Sequence, residues 1–220
     1  MWRSGWARSK AQIAERLANG DCGGSYGEAV LILCAALNAL AAEVWPGEGK
    51  DRKRFVQLLQ ENTPPTLEVI KISIPLLLRD LRADGENARA NQIETAFGPL
   101  QHGHILIGDE VDKSEVEILG ACPDIELRKL RQLSYANLLY REVRSAYSHE
   151  YKAGSSAESF SQTTDPIARV SYVGSASGPD RNIHFHIRWI LTLLVETAAA
   201  VDCLEGSLPC PDPARWWLEG

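Results

Sequence analysis

Arg144, His149 and Tyr151 stand close together in the chain and carry the side chains needed to cleave RNA without a metal. A histidine titrating near neutral pH can take the proton from a ribose 2′-OH or give one to the leaving oxygen. A guanidinium can stabilise the extra charge on a five-coordinate phosphorus. Tyr151 and Tyr147 are placed to position phosphate, with Ser145, Arg141 and Lys152 as further candidate contacts to an RNA backbone. Between Ile125 and Lys152 six basic residues face three acidic ones, a local +3 in a chain of net charge −6, which leaves −9 elsewhere. A phosphate-bearing ligand is drawn to that segment.

The spacing constrains the geometry. At 100° per residue, side chains five apart on an α-helix point ~140° away from each other. Arg144 and His149 therefore converge only if the helix ends or bends near Ser148, or if a second subunit completes the site. The alternative for His149 is a helix-end histidine bonded to backbone. A second Arg-x4-His match, Arg181 to His186, begins just after Gly178-Pro179-Asp180 and alternates like a strand, which is the wrong context.

Two His-x-His pairs, His102/His104 and His184/His186, could bring four imidazoles to a metal, although nothing in their spacing makes the pairs meet. Asp109, Glu110 and Asp112 read as a solvated acidic loop and not as a ligand set. Neither metal nor cofactor is expected.

Around these residues the periodicity predicts a mainly helical protein. A short helix covers about 6–18. Ser25-Tyr26-Gly27-Glu28 is a capping box that opens an apolar helix to about Val44. Asp51 suits the N-cap of a helix to about Glu61. That helix opens on Arg52, Lys53 and Arg54, cations that oppose the macrodipole and read as a solvated face or a phosphate contact. Pro75 interrupts the apolar stretch 66–82, giving an irregular link and a short helix. Asn87–Phe97 follows, then a short strand at 104–107.

From Asp124 to about Tyr147 the stripe Leu133, Ala136, Tyr140, Val143 and Tyr147 predicts one long helix. A Ser/Thr-rich loop, a β-hairpin over about 168–188 and a helix over about 189–204 come next. In the second hairpin arm Ile183, Phe185 and Ile187 alternate with His184, His186 and Arg188. A tail from 206 to 220 is expected to be extended. The expectation is one domain spanning 1–220, with its core over about 25–205.

The bulk composition, 45% hydrophobic and 24% charged, is globular. The longest apolar run, Ala29 to Ala42, is shorter than the ~20 residues a membrane span needs. With no secretory leader legible at the start, a cytoplasmic protein is expected. Five cysteines without a CxxC pair suggest neither a disulfide framework nor a zinc finger. The Gly20–Gly27 stretch lacks the Gly-Lys-Ser/Thr ending of a phosphate loop.

Arg144-x4-His149-x-Tyr151 resembles the Arg-x4-6-His signature of HEPN domains, in particular the Arg-x4-His-x-Tyr version of HepT-type toxins. The resemblance covers the motif and its helix, and elsewhere only the general helical character. It implies a helical bundle that forms a homodimer, so that two motifs line one cleft. It also implies metal-independent endoribonuclease activity leaving a 2′,3′-cyclic phosphate, in toxin–antitoxin or other defence systems. A nucleotidyltransferase-type antitoxin is an implied partner, with Tyr151 corresponding to the tyrosine that such a partner modifies. Ser145 departs from the Asn or Asp that many members carry after the arginine.

Overall fold

The longest apolar helix organises everything else, because residues that are apolar nearly all round must be covered on every side. In a computed structural model, which describes residues 2–101, 105–158, 169–174, 181–204, 206, 208–209 and 215–219, this helix is α2 (Tyr26–Val44). It packs against α1 (Trp2–Ala18), α3 (Asp51–Asn62), α11 (Ile187–Val201) and a π-helical segment (Leu139–Ser145). Val30, Leu33, Leu37, Leu40 and Ala41 are fully or almost fully buried among them. By length and composition α2 could cross a membrane, but more than half of its apolar window is buried inside the fold.

The remaining elements are α4 (Ile74–Ala83), α5 (Asn87–Phe97), β1 (Leu106–Ile107), α6 (Gly108–Val111), α7 (Glu115–Ala121), α8 (Leu127–Gln132), α9 (Tyr135–Leu138), α10 (Ala146–Glu150), β2 (Val170–Gly174) and β3 (Arg181–Phe185). The protein is mainly α-helical with a small antiparallel sheet, as the periodicity predicts. The hairpin gains a third strand, in the order β1-β2-β3, with Leu106 opposite Tyr172 and Tyr172 opposite Ile183. Its turn at Gly178-Pro179-Asp180 lies outside the described residues, as do His102, His104 and most of the Ser/Thr-rich loop.

Several boundaries move, each for a physical reason. α1 begins at Trp2 because Asp202, just past α11, accepts from the Arg3 and Ser4 amides at 3.3 and 3.0 Å. A carboxylate at a helix N-terminus satisfies free amides and complements the dipole. The short helix expected after the irregular link is α4, and Pro75 stands in its first turn, where its missing N–H costs nothing. Lys50, not Asp51, occupies the N-cap of α3, and Asp51 pairs instead with Arg54.

The long helix expected over 124–147 is broken. Segment 69–73 bonds into it: Tyr135 and Ala136 donate their amides to the carbonyls of Lys71 (3.0 Å) and Val69 (2.8 Å), and Ser73 donates to Leu133 (3.0 Å). Ser134 then caps a new start, accepting from the Asn137 amide. The apolar stripe survives this break, with Leu133, Ala136, Val143 and Tyr147 all buried.

The acidic loop is also not solvated. Asp109 and Glu110 fall in α6, and Asp112 is fully buried. Asp112 accepts from the hydroxyls of Tyr135 (2.6 Å) and Tyr172 (2.5 Å) and from the Ile74 amide (2.9 Å), tying α9, β2 and α4 together. Gly108 lies against this knot. A methyl there would overlap the Val170 side chain and come within 2.5 Å of the Tyr135 hydroxyl. Gly108→Ala is expected to destabilise the fold by about 1–3 kcal/mol. A urea midpoint equal to wild type would show that the knot has slack.

The described end of the tail, 215–219, is docked on the fold. Trp216 is buried edge-on against Trp45, with ring centres 5.9 Å apart, and Trp217–Glu219 forms a single helical turn.

Candidate functional site

The segment carrying the motif is wound more loosely than an α-helix. From Leu139 to Ser145 it is π-helical, a form that costs hydrogen-bond quality and is frequent at functional sites. Its side chains reach out from the core toward α3. Arg144 lies across the Tyr140 ring, 5.1 Å from its centre, and donates to the Tyr140 hydroxyl at 3.4 Å. Tyr140 is packed edge-on against Phe55 of α3, 5.3 Å away. Burial raises the Tyr140 pKa, against the pull of Arg144, Arg52 and Arg54. The Arg144 guanidinium is half-buried and has no carboxylate partner among the described residues.

After the π-helical turn the chain returns to α-geometry in α10. Ser148 donates back to the Arg144 carbonyl at 2.7 Å, and the helix runs through Ser148 to Glu150. The helix therefore does not end at Ser148; the winding changes between Ser145 and Ala146, within the Arg144/His149 interval. Tyr151 terminates α10 in the left-handed region, φ 55°. His149 is exposed and makes no hydrogen bond, to backbone or side chain, among the described residues. Among the described residues no hydrogen bond joins it to Arg144.

Tyr151 is 62% exposed, yet its hydroxyl donates to Glu28, the acidic member of the capping box on α2. Glu28 thus holds both the α2 start, accepting from the Ser25 amide at 2.7 Å, and the phenol of the motif. The Ser25 hydroxyl, and then Tyr151, pull the Glu28 carboxyl down to about 2, and the same bond raises the Tyr151 pKa. Tyr151→Phe is expected to move the Glu28 titration partway back up, with the Ser25 bonds retained. An unchanged carbon-13 titration of Glu28 would refute the contact in solution.

The other expected contacts divide. Arg141 is paired at 2.6 Å with the buried Glu142, whose other oxygen accepts from the Ser156 amide. Lys152 pairs at 3.0 Å with Glu150, both well exposed, a pairing that contributes little. Ser145 is half-buried at the junction of the π and α windings and makes no cap. Tyr147 is a core residue and not a surface phosphate contact: it is buried against Gly27, where a Cβ would stand 3.0 Å from its ring.

The Arg52-Lys53-Arg54 triplet proves to be no solvated face. Arg54 is buried and donates to the Gly47 carbonyl at 2.9 Å. Arg52 donates to Asn137 of α9 at 2.7 Å and is drawn beside Arg141. Desolvation first, then the nearby Arg141, lowers its pKa. The structure thus brings Tyr140, Arg141, Arg144 and Arg52 together from elements about 90 residues apart. The unfavourable cations opening a helix were the legible signal for Arg52; nothing in the sequence pointed to Glu28 or Tyr140.

The described histidine pair is not a surface set. His184 and His186 share a side, with ring centres 5.4 Å apart, but both are buried. His184 lies against Tyr26, 5.2 Å between ring centres, and burial pushes its pKa down to about 4. His186 meets the Ser171 hydroxyl at 3.3 Å. Among the described residues no three His, Cys, Asp or Glu side chains are grouped to hold a metal ion.

Comparison of the chain with protein-family models, with curated proteins and with solved structures finds no match in any of the three.

Proposed function

We propose that this protein is a metal-independent endoribonuclease of the HEPN type. The observation that carries the reading is Arg144: a guanidinium without a carboxylate partner among the described residues, laid on Tyr140, on a π-helical turn shortly before the exposed His149. In this reading His149 removes the 2′-OH proton, the 2′-oxygen attacks the adjacent phosphorus, and the 5′-oxygen leaves with a proton. The products are a 2′,3′-cyclic phosphate and a 5′-hydroxyl. Arg144 stabilises the charge on the phosphoryl oxygens and Tyr151, steadied by Glu28, positions the strand.

As no hydrogen bond joins Arg144 to His149 among the described residues, the complete site in this reading takes Arg144 from one copy and His149 from a second in a homodimer. A defence or toxin–antitoxin role, with a nucleotidyltransferase-type antitoxin acting on the exposed Tyr151, extends the same proposal. The test is incubation of the purified protein with RNA in EDTA, with the new ends analysed. Cyclic phosphate ends support the reading; intact RNA, or ends bearing 5′-phosphate, sink it.

A second reading, a module that binds RNA without cleaving it, is favoured by that same separation of Arg144 from His149. It predicts RNA binding that Arg144→Ala weakens, with no turnover by any form of the protein.

A further inference from the structure

The cations opening α3 surround a small cavity of about 140 Å³, lined by Lys50, Arg52, Lys53, Arg128, Gln132 and Glu219 among others. Arg52 and Lys53 of α3 and Arg128 of α8 thus face, among the described residues lining it, one carboxylate, that of Glu219. Glu219 accepts from the Lys53 ammonium at 2.9 Å and lies 3.8 Å from the Arg128 guanidinium. The Lys53 hydrogen bond, helped by Arg128 and Arg52, lowers its pKa. Arg52 is desolvated by burial, fixed by its bond to Asn137 and crowded by Arg141 and Arg128. Like charges held this closely repel, and one carboxylate offsets one of them. A phosphate, with more charge and more acceptor oxygens, satisfies such a cluster better.

Glu219 reaches the cavity because its neighbours are anchored independently of it. Trp216 is buried, and the Trp217 amide donates to Gln57 at 2.8 Å. The Trp217 carbonyl accepts from Arg131 at 2.8 Å, and that guanidinium lies 5.0 Å from the Trp217 ring. The carboxylate can leave the cavity while the segment stays docked.

We propose that this cavity is a phosphate-binding subsite, which Glu219 fills as an intramolecular stand-in until a phosphate displaces it. The identity of the ligand rests on the ribonuclease reading: a backbone phosphate of the same RNA, reached from Arg144 by way of Arg141 and Arg52.

The test uses the full chain with His149→Ala to silence cleavage, and two probes, inorganic pyrophosphate and a fluorescent 12-nucleotide oligouridylate. Glu219→Gln is expected to tighten binding of both by about threefold or more, by removing the competing charge. The double variant Lys53→Gln/Arg128→Gln alters two partly exposed side chains, and circular dichroism checks its fold. It is expected to weaken both probes at least about threefold and to flatten the salt dependence of RNA binding by about one unit of slope. A response of pyrophosphate alone upholds the phosphate site and removes the RNA from it. A response of RNA alone upholds the backbone subsite. Affinities for both probes unchanged in both variants overturn the proposal. The cleavage assay on the wild-type chain decides the ribonuclease reading separately.

Discussion

Replacing His149 by alanine is expected to reduce RNA cleavage by about 10²–10⁴-fold, the usual contribution of a positioned acid–base group, while leaving the fold intact. The second half follows from its surroundings: the ring is exposed and makes no hydrogen bond among the described residues, so its removal leaves no cavity and no orphaned partner. Arg144→Ala is expected to cost a similar factor. Arg144→Lys should recover little, because an ammonium keeps the charge but not the planar fork or the stacking on Tyr140. Mixing the two dead variants gives the sharpest result. If each site joins Arg144 of one copy to His149 of the other, half of the sites in a mixed dimer are intact. Activity should then return to roughly a quarter of wild type after subunit exchange. No recovery despite demonstrated exchange would place both residues of each site in one chain. Wild-type and His149→Ala proteins cleaving RNA equally would remove His149 from the chemistry altogether.

The largest stability effect is expected at Asp112. Alanine there strips acceptors from two buried tyrosine hydroxyls and the Ile74 amide. Tyr172 can turn to Ser73, 2.9 Å away, which leaves the Tyr135 hydroxyl and the Ile74 amide unsatisfied. At about 1–3 kcal/mol each, with a small cavity besides, Asp112→Ala should lose about 3–5 kcal/mol in mild acid, where the wild-type carboxyl is neutral, and less at higher pH.

Asparagine should behave differently. Burial pushes the Asp112 carboxyl up to about 7, against the three hydrogen bonds that lower it. The folded protein therefore holds this proton to higher pH than the unfolded chain does. The stabilising share of the neutral form is complete below pH ~4 and is lost as the pH rises to about 7, a change of about 4 kcal/mol over some three pH units. Measured against Asp112→Asn, which cannot titrate, the wild-type protein should thus be relatively more stable at pH 5 than at pH 8; His184, whose buried neutral ring favours the higher pH, acts alike in both. Asp112→Asn should keep only the opposite slope of His184, with the variant close to or above wild type at pH 8. Glu28, with its depressed pKa, acts in the opposite direction only in acid, its contribution fading as the pH falls from about 4 toward 2. A melting difference between wild type and Asp112→Asn that is flat from pH 5 to 8 would contradict the raised pKa.

Local properties were legible in the chain. The capping box at Ser25 and Glu28, the all-round apolar α2, the helix Asn87–Phe97 and the stripe from Leu133 to Tyr147 each follow from side chains within a few residues of one another. Periods of three to four and of two report local geometry, and the mainly helical class follows from them. The motif itself was also visible, as residue types on a basic segment.

What the tertiary structure decided are the contacts between distant segments. The periodicity of 124–147 is the same whether the helix is whole or broken; only the backbone of Val69–Ser73 bonding at Tyr135 and Ala136 breaks it. An acidic run reads as a solvated loop until two tyrosines, 23 and 60 residues away, bury one of its carboxylates. The same holds around Arg144, whose identity and spacing are sequence facts. Its setting, on Tyr140 with Arg52 brought beside Arg141 and Glu28 holding Tyr151, depends on how α2 and α3 pack against the π-helical turn. Such pairings add free energy only once the chain between them has closed, so no local pattern announces them.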